Sequence, residues 1–228
     1  MNKEVTNEVQ NVKKFFHGYA ADFDSIYGHS KARGSVDKLM DRLFRKSMLL
    51  RFNETLQESA KPSIRSILDV GCGSGVYCVE FLKQGKTVTG LDIAEGMLEI
   101  AKQKTADFKD SGDTVFILSG YMEHEFQLKF DAACLMGFFD YIKDPVELIK
   151  KLQRDVTKEI YMSFPKKGGF LTWQRKMRYN MRNCPLYFYS KKSLIDILDR
   201  AGLKGKFIVK DIGRDFFVKA TLLENYTR

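Results

Sequence analysis

The sequence predicts an α/β fold. It is a mostly parallel sheet of seven strands, with helices on both faces, an antiparallel C-terminal hairpin and an N-terminal helical cap. Three observations carry this. From Ser66 onward short apolar strands alternate with helices of about ten residues, the pattern of βαβ units. The last two strands are joined by the Gly213-Arg214 turn, which is short enough only for an antiparallel pair. The first strand runs directly into Gly71-Cys72-Gly73-Ser74-Gly75 and then into a helix, the punctuation of a parallel sheet that binds a ligand at its strand ends.

The elements follow in order. Val9, Val12, Phe15, Phe16, Tyr19 and Phe23 fall close to a 3.6-residue period and predict a helix over Glu8 to Phe23. A loop from Gly28 to Gly34 leads to a second helix over Ser35 to Leu56. Ser35 is its N-cap, and Leu39, Leu43, Met48 and Phe52 lie on its apolar stripe. Strands are predicted at Ile67 to Val70, Thr87 to Leu91, Thr114 to Leu118, Phe130 to Met136 and Glu159 to Phe164. Helices are predicted at Val76 to Lys83, Glu95 to Thr105 and Pro145 to Leu152, the last with proline in first position after Asp144 as cap. A further helix spans Lys192 to Ala201, capped by Ser190 and ended by Gly202. Lys206 to Ile212 and Phe216 to Leu223 form the hairpin. Residues 1–60 read as a cap and 61–228 as the α/β domain, with a basic helical insertion at 165–190.

Composition excludes several classes. At 44% hydrophobic and 29% charged, the 228 residues are ordinary for a globular domain, and 18 Phe with 10 Tyr argue against disorder. The longest apolar run, Ala132 to Phe139, falls far short of the roughly 20 residues of a membrane span. The N-terminus lacks the apolar core of a secretory signal. Cys72, Cys78, Cys134 and Cys184 form no CxxC pair, so no metal site is expected and a reducing, cytoplasmic setting fits.

The net charge of +9 is concentrated. Pro165 to Lys192 holds eight basic residues and no acidic one, so the remaining 30 basic and 29 acidic residues nearly balance. Trp173, Met177 and Met181 repeat every four residues there, with Arg175, Arg178 and Arg182 on another face. Such a basic amphipathic helix can read an anionic substrate group, rest on an anionic membrane, or simply be solvated. The near-neutral remainder argues against nucleic acid as the partner.

The glycine loop is the most informative segment. Three glycines at alternate positions let a ligand approach the backbone, and the following helix offers unpaired amides. The third glycine comes one place early for a dinucleotide loop, and no Lys-Ser/Thr follows it as in a phosphate-cradling loop. Asp92 ends the second strand, where a carboxylate can accept both hydroxyls of a ribose.

Asp69-Val70-Gly71-Cys72-Gly73-Ser74-Gly75, followed by Gly90-Leu91-Asp92-Ile93-Ala94-Glu95-Gly96-Met97-Leu98, resembles the class I S-adenosylmethionine-dependent methyltransferases. The motif match spans Ile67 to about Leu152, and the element order continues it to Leu223. The resemblance implies a Rossmann-like seven-stranded sheet with S-adenosyl-L-methionine as cofactor. It implies that Gly71, Cys72, Gly73 and Gly75 cradle the methionine and ribose, that Asp69 helps hold the amino group, and that Asp92 grips the ribose. Ile93 and Met97 would flank the adenine, and Met136 would offer a carbonyl to the ammonium. The family often has an acid after the third strand, where this chain has Tyr121. Either Glu123 reaches back, or Tyr121 and Met122 contact the adenine. The run Phe15 to Tyr27 resembles the N-terminal lid of methyltransferases acting on quinones and porphyrins. That makes Tyr19 and Tyr27 lid candidates, with plain core packing the alternative.

For the chemistry, Asp140 is a candidate base or substrate anchor, and Tyr141 a candidate hydrogen-bond donor. His29, in a loop, is a second candidate base. The expected reaction is methyl transfer to a small molecule, oxygen favoured over nitrogen, with an anionic or lipid-like acceptor allowed. RNA methylation and cofactor binding without turnover are the alternatives. The sequence leaves the oligomeric state open.

Overall fold

The computed structural model describes residues 35–108, 114–168 and 186–222, with side chains from 46 onward in the first helix. Helix α1 (Ser35–Ser59) leads into β1 (Ser66–Val70), α2 (Val76–Lys83), β2 (Thr87–Asp92), α3 (Glu95–Thr105) and β3 (Thr114–Leu118). Then come β4 (Phe130–Leu135), a 3₁₀ turn (Phe139–Tyr141), α4 (Val146–Asp155), β5 (Val156–Pro165), α5 (Lys191–Arg200), β6 (Phe207–Asp211) and β7 (Asp215–Thr221). The predicted helix Glu8 to Phe23 and the helix of the basic insertion lie outside the described residues.

The seven strands form one sheet in the order β3-β2-β1-β4-β5-β7-β6. Every pair is parallel except β5–β7 and β6–β7. The predicted hairpin therefore forms, but its last strand inserts beside β5 and leaves β6 at the edge. Strand order reverses between β2-β1 and β4, so a crevice opens over the C-terminal ends of these strands. β1 is central and buried on both faces, so Ile67, Leu68 and Val70 are all apolar and Asp69 between them is buried too.

Two apolar layers cover the sheet. One packs α4 and α5 against β4, β5 and β7, with Phe139 and Phe164 stacked at 4.2 Å. The other packs α2 and the C-terminal half of α1 against the opposite face, with Phe52 5.3 Å from Tyr77. Thr55 and Ser59 are buried along α1. Ser59 Oγ donates to Gln84 Oε1 at 2.8 Å, tying α1 to the end of α2.

Boundaries moved where a cap or a ladder decided them. Pro145 is the N-cap of α4 and not its first helical residue, while Asp144 Oδ1 accepts the Val146 amide at 3.3 Å. β5 runs well beyond its predicted ends because it is paired on both sides, by β4 and β7. Ser190 caps α5 as expected, in a reciprocal box with Ser193.

Candidate functional site

The glycine loop is cross-tied to β2. Leu91 O accepts the amides of Gly71 (2.7 Å) and Cys72 (3.1 Å). Asp92 Oδ2 accepts the Gly73 amide at 2.9 Å, and Oδ1 accepts the Ala94 amide at 2.9 Å. All three loop glycines have positive φ. At Gly75 a Cβ would also lie 2.9 Å from Ala101 Cβ, so glycine is required twice over. Gly75 opens α2 without a side-chain cap, which leaves the helix start to a ligand. Asp92 is held above its ordinary pKa by burial, an effect opposed by the amides of Ala94, Gly73 and Ile93. Each carboxylate oxygen has a second lone pair, so Asp92 can hold the loop and still accept hydroxyls.

Asp69 lies beneath this loop, only 2% exposed. The Cys78 thiol donates to its Oδ2 at 3.3 Å, and the Cys134 thiol also bonds it. Burial pushes the Asp69 carboxyl up to about 7, against an ordinary value of 3.8. The Cys78 thiol is held well above its usual range by its hydrogen bond with Cys72 and by burial, so it stays a protonated donor. Cys72 itself is buried inside the loop.

At the β2–β3 side the placements differ from expectation. Ile93 is half-buried beside Asp92. Met97 is 0% exposed, on the inward stripe of α3 with Leu98 and Ala101. Tyr121 is 3% exposed and belongs to the core. Its hydroxyl donates to Asp155 Oδ2 at 2.7 Å, and Lys151 Nζ lies 5.1 Å above its ring. The ring is drawn inward by its polar partners on α4. Met122 is exposed, and the Glu123 carboxylate folds back to stand where a Cβ on Gly120 would be.

On the other side of the crevice, Met136 is half-buried against the second layer. The Gly137 amide donates to Ser163 Oγ at 2.8 Å. Phe138 covers Gly71 so closely that a Cβ there would lie 2.7 Å from its ring. Asp140 is 3% exposed, and its carbonyl accepts the Tyr187 amide at 2.8 Å. Tyr141 is half-buried at the end of the 3₁₀ turn. Arg51 of α1 and Asp215 of β7, missed in the sequence, meet here as a buried pair, with Nη1 3.7 Å from Oδ2. No local signal links them, because they come from opposite ends of the chain. Ser163, also missed, reads in the sequence as one more strand residue.

His29, Tyr19, Tyr27, Arg175, Arg178 and Arg182 lie outside the described residues. Among the described residues, no three His, Cys, Asp or Glu side chains are grouped to hold a metal ion.

A family model described as a methyltransferase domain matches residues 35–205. The chain belongs to this family. Within it, the ubiquinone biosynthesis O-methyltransferase of Serratia proteamaculans (strain 568) is 26% identical over 153 residues, covering 66% of this chain and 59% of that protein. The protein of the same name from Vibrio parahaemolyticus is 30% identical over 103 residues, 44% of this chain and 43% of that one. This methyltransferase-domain chain thus aligns with three-fifths or less of either relative's length. Magnesium protoporphyrin IX methyltransferase from Synechocystis PCC 6803, solved with bound SAH, shares the fold. It has a TM-score of 0.70 at 18% identity, covering 95% of this chain and 100% of that one. No helix among the described residues of the methyltransferase domain is long and apolar enough to cross a membrane.

Proposed function

We propose that this methyltransferase domain transfers the methyl group of S-adenosyl-L-methionine to an oxygen of a small-molecule acceptor. The observation that carries the reading is the Gly73–Asp92 tie. It sets a glycine cradle and a ribose-accepting carboxylate side by side over the switch point of the sheet. The residues present fit the cofactor: the start of α2 after Gly75 has no side-chain cap and leaves its amides to a ligand, and Asp92 keeps acceptor capacity. The relatives' names, for quinone and porphyrin substrates, support a small-molecule acceptor.

When bound, the cofactor supplies an electrophilic methyl on a sulfonium. The chain's own residues align the acceptor, exclude water and take up a proton. Gly71, Gly73, Gly75 and Asp92 hold the cofactor's polar body, and Glu123 stands at the end of β3 to meet the adenine. Phe138 shields the crevice between the loop and β4. Asp140, buried beside Gly137, is the base for a hydroxyl acceptor. Tyr19 and Tyr27, outside the described residues, are the lid candidates of this reading. Arg175, Arg178 and Arg182 of the basic insertion, outside the described residues, are its candidates for recognising an anionic acceptor group, and a peripheral membrane contact belongs to the same reading. The setting is cytoplasmic.

Calorimetry with S-adenosylmethionine and S-adenosylhomocysteine tests this. Binding of both by the wild type, weakened at least about tenfold in Asp92→Ala, is the expected result. No binding of either by the wild type would sink the reading. Transfer of radioactive methyl to phenolic acceptors and not to RNA would separate the small-molecule reading from its nucleic-acid rival.

A further inference from the structure

The acceptor side of the crevice holds a charged pair that the cofactor-binding residues do not use. Helix α1 docks on the β6–β7 turn through Ser47, whose Oγ accepts the Arg214 amide at 3.3 Å. One helical turn further along the same face is Arg51. Its Nη1 lies 3.7 Å from Asp215 Oδ2, and both side chains are buried. Well-packed apolar residues often stabilise a core as well as a buried ion pair does or better, so stability alone is a weak reason to place charge here. At 3.7 Å the contact is longer than a charge-assisted hydrogen bond, so Asp215 orients the guanidinium chiefly by charge.

The guanidinium lies beside the residue that follows β4, Gly137. Gly137 has φ +74 and no side chain, and its amide is fixed by Ser163 Oγ. A Cβ at Gly137 would lie 3.5 Å from Arg51 Nη1 and 3.7 Å from Asp140 Oδ2. A permanent cation from α1 and a carboxylate from the turn after β4 thus both flank the same glycine at the end of β4. A hydroxyl acceptor needs both groups. Its proton needs a carboxylate, and the negative charge that develops on its oxygen needs a fixed positive partner. A protonated amine would instead be repelled by a guanidinium that does not deprotonate.

We infer that Arg51, oriented by Asp215, is the oxyanion partner of the acceptor, and that Arg51 and Asp140 flanking Gly137 together select a hydroxyl of the phenol or enol class. This rests on the methyl-transfer reading and deepens it. The acceptor's O–H proton passes to the Asp140 carboxylate. The oxygen's electron pair forms the O–CH₃ bond as the S–CH₃ bond breaks, and that bond's pair stays on sulfur as the sulfonium becomes a thioether. Arg51 and Asp140 meet the acceptor directly, and Asp215 is a positioning residue.

The test uses 4-nitrophenol, whose anion absorbs differently from its neutral form, titrated against pH on the full chain saturated with S-adenosylhomocysteine. Bound 4-nitrophenol should ionise about one pH unit below the free compound, a tenfold gain equal to about 1.4 kcal/mol. Arg51→Met should abolish the shift, and Arg51→Lys should retain part of it. S-adenosylhomocysteine affinity should stay within about twofold in both. If Arg51→Met does not fold, Asp215→Asn carries the test, because the shift must shrink once the guanidinium loses its orienting charge. The inference is overturned if bound 4-nitrophenol ionises as it does in water, or if it does not bind. It is also overturned if the shift survives unchanged in the folded variants. Failure of the wild type to bind S-adenosylhomocysteine would strike the cofactor reading instead.

Discussion

The Gly73 amide donates to Asp92 Oδ2 at 2.9 Å, joining the loop after β1 to the end of β2. The other carboxylate oxygen holds the Ala94 amide at the start of α3. One side chain therefore fixes two ligand-facing segments, so its loss should be felt in both stability and binding.

Asp92→Ala removes the acceptor of both amides. Charge-assisted hydrogen bonds of this kind are each worth roughly 1.5–3 kcal/mol. The variant should lose about 3 kcal/mol in urea unfolding, along with its affinity for S-adenosylhomocysteine. Asp92→Asn keeps one acceptor oxygen and should lose less on both counts. Equal losses for Ala and Asn would show that the one oxygen Asn retains holds neither segment by itself.

Gly75→Ala tests the cradle. Its φ of +75 strains any L residue, and the added Cβ would stand 2.9 Å from Ala101 Cβ. Left-handed strain of about 1–2 kcal/mol and overpacking of about 1–3 kcal/mol add to roughly 2–5 kcal/mol of lost stability. Gly85→Ala is the control, with similar φ and nothing within 4 Å of the added Cβ. It should show the strain alone. Equal losses at the two sites would remove Ala101 from the account.

Asp69 makes stability depend on pH in the direction opposite to a salt-bridged carboxylate. Its folded pKa, about 7, is above the ordinary 3.8, so the folded chain keeps a proton that the unfolded chain has lost. The cost is absent below the ordinary value, grows as pH rises through the window, and is complete above about 7. Asp69→Asn stays neutral throughout. Its stability relative to wild type should rise from pH 4 to pH 7.5 by a few kcal/mol, at up to roughly 1.4 kcal/mol per pH unit. A difference that is flat across that range in urea unfolding would show that Asp69 is ionised in the folded state well below 7.

Tyr121→Phe separates a core anchor from a ligand contact. The hydroxyl bonded to Asp155 is lost, and a carboxylate also facing Lys151 at 3.2 Å is left less satisfied. Stability should fall by about 1–3 kcal/mol. Affinity for S-adenosylhomocysteine should change less than about threefold, or under roughly 0.7 kcal/mol. Lost affinity at unchanged stability would return Tyr121 to the crevice.

The strands, helices and glycine loop were legible because their signals are local. The spacing of Gly71, Gly73 and Gly75 after an apolar strand predicts the turn, and Asp92 at the next strand end predicts the carboxylate beside it. Lys151 was not legible. In Val146-Glu147-Leu148-Ile149-Lys150-Lys151 nothing separates the two lysines, yet Lys150 pairs with Glu147 at the surface while Lys151 is 1% exposed over the rings of Tyr121 and Phe126. The burial of Met97 was not legible either. Its place after Asp92 is right for a ligand contact, but the rotation of α3 about its axis turns it into the core.

The sequence by itself determined the α/β class, the parallel order broken by a C-terminal hairpin, the glycine cradle and its acidic neighbour. Those features rest on backbone pairing and side-chain periods that act over a few residues. Only the tertiary structure decided which side chains face the crevice. It buried Tyr121 and Met97, folded Glu123 over Gly120, and brought Arg51 from α1 to Asp215 on β7 beside Gly137. The reason is physical. Facing is set by how whole elements pack to bury apolar area and satisfy buried charge, and that balance is struck between residues far apart in the chain.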